Sequence, residues 1–208
     1  MINKRNIGKM SEQAYNKVYK EYLNLEGEIK WPRLKWLKKI LNQIEPGSTV
    51  LDIGCGSGKP VDIEIEKNHK VFGVDISKEM IKIAKNNVPN GEFIHKDFRD
   101  LEFSNNSFDA IVAFYVIELI PRKEHEAVLY KFMKWLKPKG FLLFTLEANE
   151  YIDETGEWLG ETIFISSYDS ETMKKIVNKV GFKILETTIE TQIEGKTEIP
   201  YLRILAQK

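Results

Sequence analysis

The segment Val50–Pro60, VLDIGCGSGKP, constrains the fold of this 208-residue chain more than any other. Apolar residues lead into Asp52, and three glycines follow at alternating positions, Gly54, Gly56 and Gly58. Glycine suits a tight turn because it adopts positive φ without strain and leaves room for a ligand beside the backbone. The proline that ends the segment fits the first turn of a helix. The segment therefore predicts a buried parallel strand, a glycine turn and a helix, with unpaired N–H groups that attract an anionic ligand group.

The spacing of the glycines bears on which cofactor the turn holds. The dinucleotide fingerprint is G-x-G-x-x-G, whereas this chain has G-x-G-x-G, with an acidic residue two positions before the first glycine. In these features the segment resembles the first motif of the class I S-adenosylmethionine-dependent methyltransferases. In that family the loop lies along the methionine moiety of the cofactor, and the aspartate lies close to it. The resemblance implies an S-adenosylmethionine site that includes Asp52, Gly54, Cys55, Gly56 and Gly58; the alternative is a loop that only turns the chain.

Composition narrows the class of protein. The length fits one domain with its own core, and 31 basic against 31 acidic residues give no overall electrostatic footprint for nucleic acid. The single cysteine excludes an intrachain disulfide framework. The first ten residues contain no apolar h-region, and the longest apolar run, Ala110–Ile117, is too short to span a bilayer. We therefore expect a cytoplasmic protein without a nucleic-acid or membrane partner, and its oligomeric state stays open.

Strand-like and helix-like segments alternate along the chain, which predicts a parallel sheet with helices on both faces. A short link at Gly195 joins the last two strands, so these two should be antiparallel. The resembled family has a Rossmann-like sheet of seven strands in the order 3-2-1-4-5-7-6, with strand 7 antiparallel, and the resemblance implies this α/β fold here. After the strand that enters the glycine loop, the predicted strands are Lys70–Val74, Phe93–Ile94, Phe108–Ala113, Phe141–Leu146, Lys183–Glu190 and Glu198–Ala206.

Apolar periodicity and end signals predict the helices. One covers residues 11–25, and a second begins after Pro32. Others follow the glycine loop and the capping residues Ser77 and Asp169. A further helix, His125–Leu136, should be closed by the proline and glycine after it, with His125 facing solvent.

Two acidic residues stand at predicted strand ends. Asp75 follows the second strand about twenty residues after the loop, where a carboxylate accepts hydrogen bonds from ribose hydroxyls. That position suits a methyltransferase and a nicotinamide-dependent oxidoreductase equally. Asp97 ends the third strand, and in the resembled family this residue meets the adenine amino group while the backbone of Phe98 meets a ring nitrogen. The resemblance also implies that Ile76 and Met80 pack on the adenine faces; alternatively they are plain core residues.

The end of the fourth strand carries the predicted acceptor side. The resemblance implies that Ala113 and Phe114 lie beside the methionine end of the cofactor, and that Tyr115 and Glu118 point toward the methyl acceptor. Many relatives carry histidines near Glu118, and this chain does not. Glu118 is therefore the remaining candidate for a general base; the alternative is an exposed helix carboxylate. The three histidines have no ligand spacing, so we predict no metal site.

We assign residues 1–208 to a single methyltransferase domain with three parts. Residues 1–45 form a helical lid region, 46–146 the cofactor-binding half, and 147–208 a substrate loop with the C-terminal strands. The connection Glu147–Tyr168 is long, which favours a lid or binding loop. Similar proteins have an AY-x-x-x-x-x-Y-type pattern near the start of the chain, which implies that Tyr15 and Tyr22 close over the methionine moiety. The alternative is that helix 11–25 is a permanently packed layer.

The predicted function is transfer of the S-adenosylmethionine methyl group to an oxygen or nitrogen nucleophile of a small molecule. A catalytically silent S-adenosylmethionine-binding regulatory protein stays open, because no sequence feature excludes it. A nicotinamide-dependent oxidoreductase is disfavoured by the glycine spacing and by Asp97.

Overall fold

A computed structural model describes residues 4–28, 32–194 and 197–208, so the predicted link at Gly195 lies outside the described residues. The helices are α1 (Lys4–Glu28), α2 (Arg33–Leu41), α3 (Val61–Glu66), α4 (Lys78–Asn87), α5 (Arg122–Trp135) and α6 (Ser170–Val180). The strands are β1 (Thr49–Ile53), β2 (Lys70–Asp75), β3 (Glu92–His95), β4 (Phe108–Ala113), β5 (Leu136–Glu147), β6 (Tyr151–Trp158), β7 (Glu161–Ser167), β8 (Lys183–Glu194) and β9 (Thr197–Gln207).

Seven of these strands form one sheet in the order β3-β2-β1-β4-β5-β9-β8. Strands β1 to β5 pair in parallel, and β9 runs antiparallel to both β5 and β8. The remaining two strands, β6 and β7, pair only with each other. When this hairpin is set aside, the order is the predicted 3-2-1-4-5-7-6 with an antiparallel seventh strand. The predicted α/β fold class is therefore confirmed.

The sheet is buried on both faces. Leu51 belongs to one apolar cluster, together with side chains of α5 and α6. Its neighbour Val50 belongs to a second cluster, which includes Trp36 and Leu37 of α2. Successive side chains of a strand point to opposite faces, so helices on both sides account for strands that lack polar alternation. Among the described residues, no helix combines the length and apolar character needed to cross a membrane.

Several helix ends follow the sequence signals. The Ser77 hydroxyl accepts a hydrogen bond from the Met80 N–H at 3.2 Å at the start of α4. The Asp169 carboxylate accepts hydrogen bonds from the first N–H groups of α6, and Gly181 ends that helix with φ of 109°. These capping predictions are confirmed. They depend on contacts between near neighbours in sequence, which is why they can be predicted from the sequence.

Other element boundaries differ from the predictions. Strand β5 begins at Leu136, so Pro138 and Gly140 lie inside it, where its pairing with β4 is irregular. Helix α1 extends beyond residues 11–25, and both C-terminal strands are longer than predicted. The prediction that His125 faces solvent is wrong, because its side chain is 0% exposed. Burial lowers the pKa of His125 to about 4, so the ring is neutral at pH 7.

The segment Glu147–Tyr168 is not a loop. It forms the β6–β7 hairpin, whose turn residues Leu159 and Gly160 have φ of 50° and 80°. Two central residues with positive φ are typical of the tight hairpin turn that matches strand twist. The prediction of a loop without strands is wrong here, because a Leu-Gly pair between two short strand segments was not interpreted as a hairpin turn; the role of the segment as a lid or binding element stays a prediction.

Candidate functional site

A pocket lies at the carboxyl edge of the sheet, where ligands bind in open α/β sheets. It extends from the glycine loop across the ends of β2 and β4 to α1 and the hairpin. Most of the predicted site residues line it together. They are Tyr15, Tyr22, Gly54, Gly56, Asp75, Ile76, Met80, Asp97, Phe98, Phe114, Tyr115 and Glu118.

Asp75 joins the second strand to the glycine loop. Its carboxylate accepts hydrogen bonds from the Gly56 N–H at 2.9 Å and from the Ser77 N–H at 2.7 Å. Burial raises the pKa of Asp75, and these two bonds oppose the rise. A Cβ placed on Gly56, which has φ of 54°, would meet no protein atom within 4 Å. The backbone of the loop therefore borders open space beside a carboxylate that is already oriented.

Three other N–H groups of the loop donate to carbonyl groups inside the protein. The N–H groups of Gly54 and Cys55 both donate to the Val74 carbonyl, at 2.8 and 3.0 Å. The Gly58 N–H donates to the Cys55 carbonyl at 3.0 Å. These bonds fix the loop against β2. The expectation that unpaired N–H groups of the loop attract an anion is therefore wrong for these residues.

Four predicted site residues lie behind the pocket lining, namely Asp52, Cys55, Gly58 and Ala113. The thiol of Cys55 packs beneath the turn against Gly73, and a Cβ on Gly58 would meet Val88 at 3.2 Å. Ala113 is part of the apolar cluster beside α5. The side chains of Asp52, Cys55 and Ala113 are buried in the core, because neighbouring residues of a strand or turn face opposite sides.

Asp52 forms a buried pair with Asp62 of α3. The two side chains are 2% and 0% exposed. Burial raises the pKa of Asp52 to about 7, while a hydrogen bond from Asp62 and the charge of Arg33 oppose the rise. Burial and the Asp52 charge hold the pKa of Asp62 well above its usual range. Because two adjacent buried carboxylates cannot both ionise cheaply, Asp62 keeps its proton and donates it in the bond to Asp52.

Asp97 is held by a residue that the sequence analysis did not single out. The Arg99 guanidinium donates to its two oxygens at 3.0 and 2.6 Å, and the Arg99 backbone N–H donates at 2.9 Å. Helix α1 crosses this end of the pocket so closely that a Cβ on Gly8 would lie 2.9 Å from an Asp97 oxygen. The carboxylate is thus oriented from two sides.

Tyr115 is fixed in an uncommon conformation, with φ of 56°. Its N–H donates to the Thr145 hydroxyl at 3.0 Å, and its phenolic oxygen accepts from the Gln192 amide at 2.7 Å. Its ring packs edge-on against Tyr201, with centroids 4.7 Å apart. Non-glycine residues held at positive φ cluster at functional sites. Glu118 is 5% exposed, so the alternative of an exposed carboxylate is excluded.

We call α1 and the β6–β7 hairpin the roof, because residues of both line the pocket and contact each other. Tyr15, Tyr22 and Trp158 form a ring cluster with centroid separations of 6.3, 5.4 and 5.6 Å. The Lys17 ammonium lies 2.9 Å from a Glu161 carboxylate oxygen. The roof is therefore built from a helix and a hairpin that are far apart in the sequence.

Sequence reasoning missed Arg33, Arg99 and the apolar hairpin residues Ile163 and Ile165, all of which line the pocket. The hairpin turn could have been found from the Leu-Gly pair. Arg33 had no distinguishing signal, since α2 also carries three lysines. Its place in the pocket depends on how α2 packs on the sheet.

Residues 50–140 match a family model described as a methyltransferase domain. With the glycine loop and the strand order, this match shows that the chain is similar to the class I S-adenosylmethionine-dependent methyltransferases, a family whose cofactor is S-adenosylmethionine. The uncharacterized protein MJ1252 of Methanocaldococcus jannaschii is 32% identical over 191 residues, which cover 89% of this chain and 66% of that protein.

Two further matches are to proteins with a named activity. The phosphoethanolamine N-methyltransferase of Plasmodium falciparum is 33% identical over 153 residues, 69% of this chain and 57% of that enzyme. The chain thus spans less than two thirds of the length of both relatives. The crystal structure of Burkholderia thailandensis 1,6-didemethyltoxoflavin-N1-methyltransferase, with 1,6-didemethyltoxoflavin and S-adenosylhomocysteine bound, superposes with a TM-score of 0.78 at 15% identity. The match covers 100% of this chain and 91% of that one. This likeness is one of fold.

Proposed function

We propose that this chain binds S-adenosylmethionine in the pocket at the sheet edge and transfers its methyl group to an oxygen or nitrogen of a small molecule. The open space beside Gly56, bordered by the oriented Asp75 carboxylate, is the observation that carries the proposal. Each Asp75 oxygen has a second lone pair, so the carboxylate can accept ribose hydroxyls while it keeps its two N–H bonds. The adenine ring then packs between Ile76 and Met80. Its amino group binds the Asp97 carboxylate, and a ring nitrogen binds the Phe98 backbone.

The acceptor is assigned to the part of the pocket between Tyr115, Glu118 and the roof. Trp158, Ile163 and Ile165 cover this part with apolar surface, which suits a small acceptor and excludes water from it. Two of the proteins that this chain resembles are named for methylation of nitrogen in small molecules. Those names support the acceptor class, and the pocket sets no further limit on it.

When bound, the cofactor supplies a methyl group already activated by its positive sulfur. The protein then has to align the acceptor and keep water out, which accounts for a large part of such rate enhancements. We assign to Glu118 the role of general base that takes the proton of the acceptor, because Glu118 is buried and lines the pocket. Tyr115 positions the acceptor, since its ring and hydroxyl are already fixed by Tyr201 and Gln192.

The cofactor assignment is tested by thermal unfolding with S-adenosylmethionine, S-adenosylhomocysteine and NAD. A ligand that binds only the folded state stabilises it by about 2.7 kcal/mol at a concentration of 100 times its Kd. We expect the first two ligands to raise Tm and NAD to leave it unchanged. Stabilisation by NAD and not by S-adenosylhomocysteine would refute the assignment.

The acceptor assignment is tested by methyl transfer to a panel of small amines, phenols and carboxylates. With an acceptor in hand, Glu118→Gln and Tyr115→Phe should lower turnover and leave the affinity for S-adenosylhomocysteine nearly unchanged. Weaker cofactor binding with normal turnover at saturation would place these residues on the cofactor side. Cofactor binding without turnover on a broad metabolite extract would favour a silent regulatory protein.

A further inference from the structure

The two edges of the seven-stranded sheet differ in how well they are protected against pairing with another chain. Strand β3 at one edge has four residues, and its exposed residues Glu92 and His95 carry polar side chains. Strand β8 at the other edge has twelve residues, and of the described strands only β9 pairs with it. Short strands and charged side chains are common means by which a sheet edge avoids further pairing. Strand β8 therefore offers a long row of backbone groups to another strand.

One face of β8 is apolar and uncharged along its second half. Ile189 and Ile193 are 54% and 64% exposed, and Thr191 between them is also exposed. Ile189 pairs with Leu202 of β9, which belongs to the apolar cluster beside α5 and α6. The row thus continues a core-facing side of the sheet to its edge, where both isoleucines contact solvent. A long, exposed and apolar edge strand is the pattern that pairs with another chain.

The acidic residues of β8 do not protect this face. Glu186 forms an ion pair with Lys39 of α2 at 2.6 Å, and Glu190 accepts a hydrogen bond from the Trp36 indole at 3.3 Å. Both carboxylates lie on the face opposite Ile189, because successive side chains of a strand alternate. They are therefore directed toward α2, and the face between residues 187 and 193 carries no charge.

The sequence of β8 suits pairing with a second copy of itself. Two identical antiparallel strands are related by a two-fold axis, so one central residue faces its own copy. The pairing of β8 with β9 has a bulge between Ile184 and Glu186 and is regular after it. Because a bulge disrupts the ladder of hydrogen bonds, the regular stretch from Glu186 onward is the part of β8 that can accept a further strand.

Three central residues can be compared within this stretch. A centre at Glu190 would place two carboxylates directly opposite each other, which destabilises a strand pair. A centre at Ile189 would place Ile193 opposite the bulged Leu185 of the other copy. A centre at Thr191 instead gives two pairs of Ile189 with Ile193 and one pair of threonines. It also places each Glu190 opposite a neutral residue, so this register combines apolar pairs with the absence of like charges.

We propose that β8 pairs antiparallel with β8 of a second copy of this chain, with the two-fold axis at Thr191, so that the two sheets continue as one. The inference is independent of methyl transfer. It does bear on the pocket, because the Gln192 amide of the same strand donates to the Tyr115 hydroxyl at 2.7 Å. Pairing of β8 would therefore stabilise the strand that holds Tyr115.

The test measures self-association by sedimentation velocity over a series of protein concentrations. Thr191→Lys and Thr191→Glu each place like charges opposite each other at the two-fold axis, whereas an equimolar mixture of the two places opposite charges there. Thr191 is exposed, so neither change disturbs the core, and circular dichroism checks the fold. Ile152→Lys is the matched control, because Ile152 lies on β6 and is 68% exposed.

We expect the parent and Ile152→Lys to form a reversible dimer whose population rises with concentration, as is typical of a small interface. Each Thr191 variant should raise the dissociation constant at least about tenfold, because like charges at an interface are strongly unfavourable. The mixture should dimerise about as tightly as the parent. Only residues that face each other across the axis give this pattern of loss and rescue.

A cross-linking experiment tests the register directly. A residue that faces its own copy has its Cβ about 5 Å from that of the copy. A short bifunctional maleimide reagent should therefore link Thr191→Cys into a dimer much faster than it links Ile152→Cys. The buried Cys55 is common to both variants. If a charged Thr191 variant does not fold, this comparison decides the question.

Other results overturn the inference. A parent that stays monomeric at every concentration would show that β8 does not pair with itself and would leave its edge to another protein. A dimer that is insensitive to both charges at Thr191 would lie on another surface. Weakened association that the mixture does not restore, or equal cross-linking of Thr191→Cys and Ile152→Cys, would show that the two copies of Thr191 do not face each other.

Discussion

The glycine loop and the roof enclose the same pocket, but different kinds of contact hold them. The loop is held by hydrogen bonds from its backbone N–H groups to the Val74 carbonyl and the Asp75 carboxylate, and all of these groups come from the continuous segment β1–loop–α3–β2. The roof joins segments far apart in the chain through aromatic rings and the Lys17–Glu161 ion pair. The Lys17 side chain is 63% exposed, so this pair contributes little to stability.

This difference indicates how the two regions should behave. Buried backbone bonds within a sheet open only with the core, whereas a surface helix with few buried polar contacts opens at much lower cost. We therefore expect the loop to be formed before the cofactor binds and the roof to become stable with it. Each half of this contrast leads to expected changes in stability, cofactor binding or hydrogen exchange.

Gly54→Ala should destabilise the protein most. Gly54 has φ of 72°, and a Cβ there would lie 2.8 Å from Val116 Cγ2. The positive φ and the overpacking together should cost about 2–5 kcal/mol of unfolding free energy. The matched control is Gly47→Ala, which has φ of 84° but no atom within 4 Å of the new Cβ. It should cost only about 1–2 kcal/mol. Similar urea unfolding midpoints for the two variants would show that the loop is not tightly packed.

The Asp52–Asp62 pair should make stability depend on pH. Burial raises the pKa of Asp52 from 3.8 to about 7, so the folded state binds more protons than the unfolded state between those values. The contribution of this group is therefore complete below pH 3.8 and is lost as pH rises through about 7. The loss should amount to no more than about 4 kcal/mol.

The raised pKa of Asp62 adds to the same loss of stability with rising pH. Asp62→Asn removes this second contribution and keeps a hydrogen-bond donor toward Asp52. Tm of the parent should fall more steeply than Tm of the variant from about pH 5 to about pH 8. The control is Asp109→Asn, since Asp109 pairs with the half-exposed Lys137 elsewhere in the fold. Parallel Tm profiles for the parent and Asp62→Asn would mean that the two carboxyl groups do not share a proton.

Asp75→Ala should weaken cofactor binding while the sheet stays folded. The change removes the partner of the Gly56 and Ser77 N–H groups together with the proposed acceptor of the ribose hydroxyls. Loss of such bonds in a partly dry site costs about 1–3 kcal/mol. Calorimetry with S-adenosylhomocysteine measures the effect, with circular dichroism to check folding. Asp75→Asn keeps one acceptor oxygen and should lose less; an Asp75→Ala variant that binds like the parent would mean that the ribose lies elsewhere.

Cofactor binding should stabilise the roof locally, and a substitution in the roof should change global stability least. Amides of residues 11–25 in α1 should exchange rapidly in the free protein and become protected with S-adenosylhomocysteine. Amides of β1 serve as the internal control and should be protected in both states. The exposed pair adds little, so Lys17→Gln should cost less than about 1 kcal/mol. Equal protection of 11–25 with and without ligand would show that α1 is a fixed layer.

Local signals in the sequence determined the glycine-loop side of the pocket. These signals are the alternating glycines, the capping residues Ser77 and Asp169, and the aspartate that ends β2. Each of them contacts groups that lie a few residues away or on an adjacent strand. Their consequences can therefore be predicted from short stretches of chain. The apolar strands likewise predicted a sheet covered on both faces. The same local reasoning failed for the turn at Leu159 and Gly160, where the signal was present and was not used.

Only the tertiary structure determined which side chains meet across the pocket. Arg33 reaches Tyr22 and Tyr115 because α2 packs on the sheet beside the glycine loop, and many sequences of similar periodicity would place another basic residue there. Asp62 pairs with Asp52 because it lies on the buried face of α3, whereas Glu64 and Glu66 of the same helix are equally acidic but only half-buried. Periodicity shows that a helix has a buried face, but the contacts of that face depend on the positions of other elements, so charges and pKa values follow from the packing.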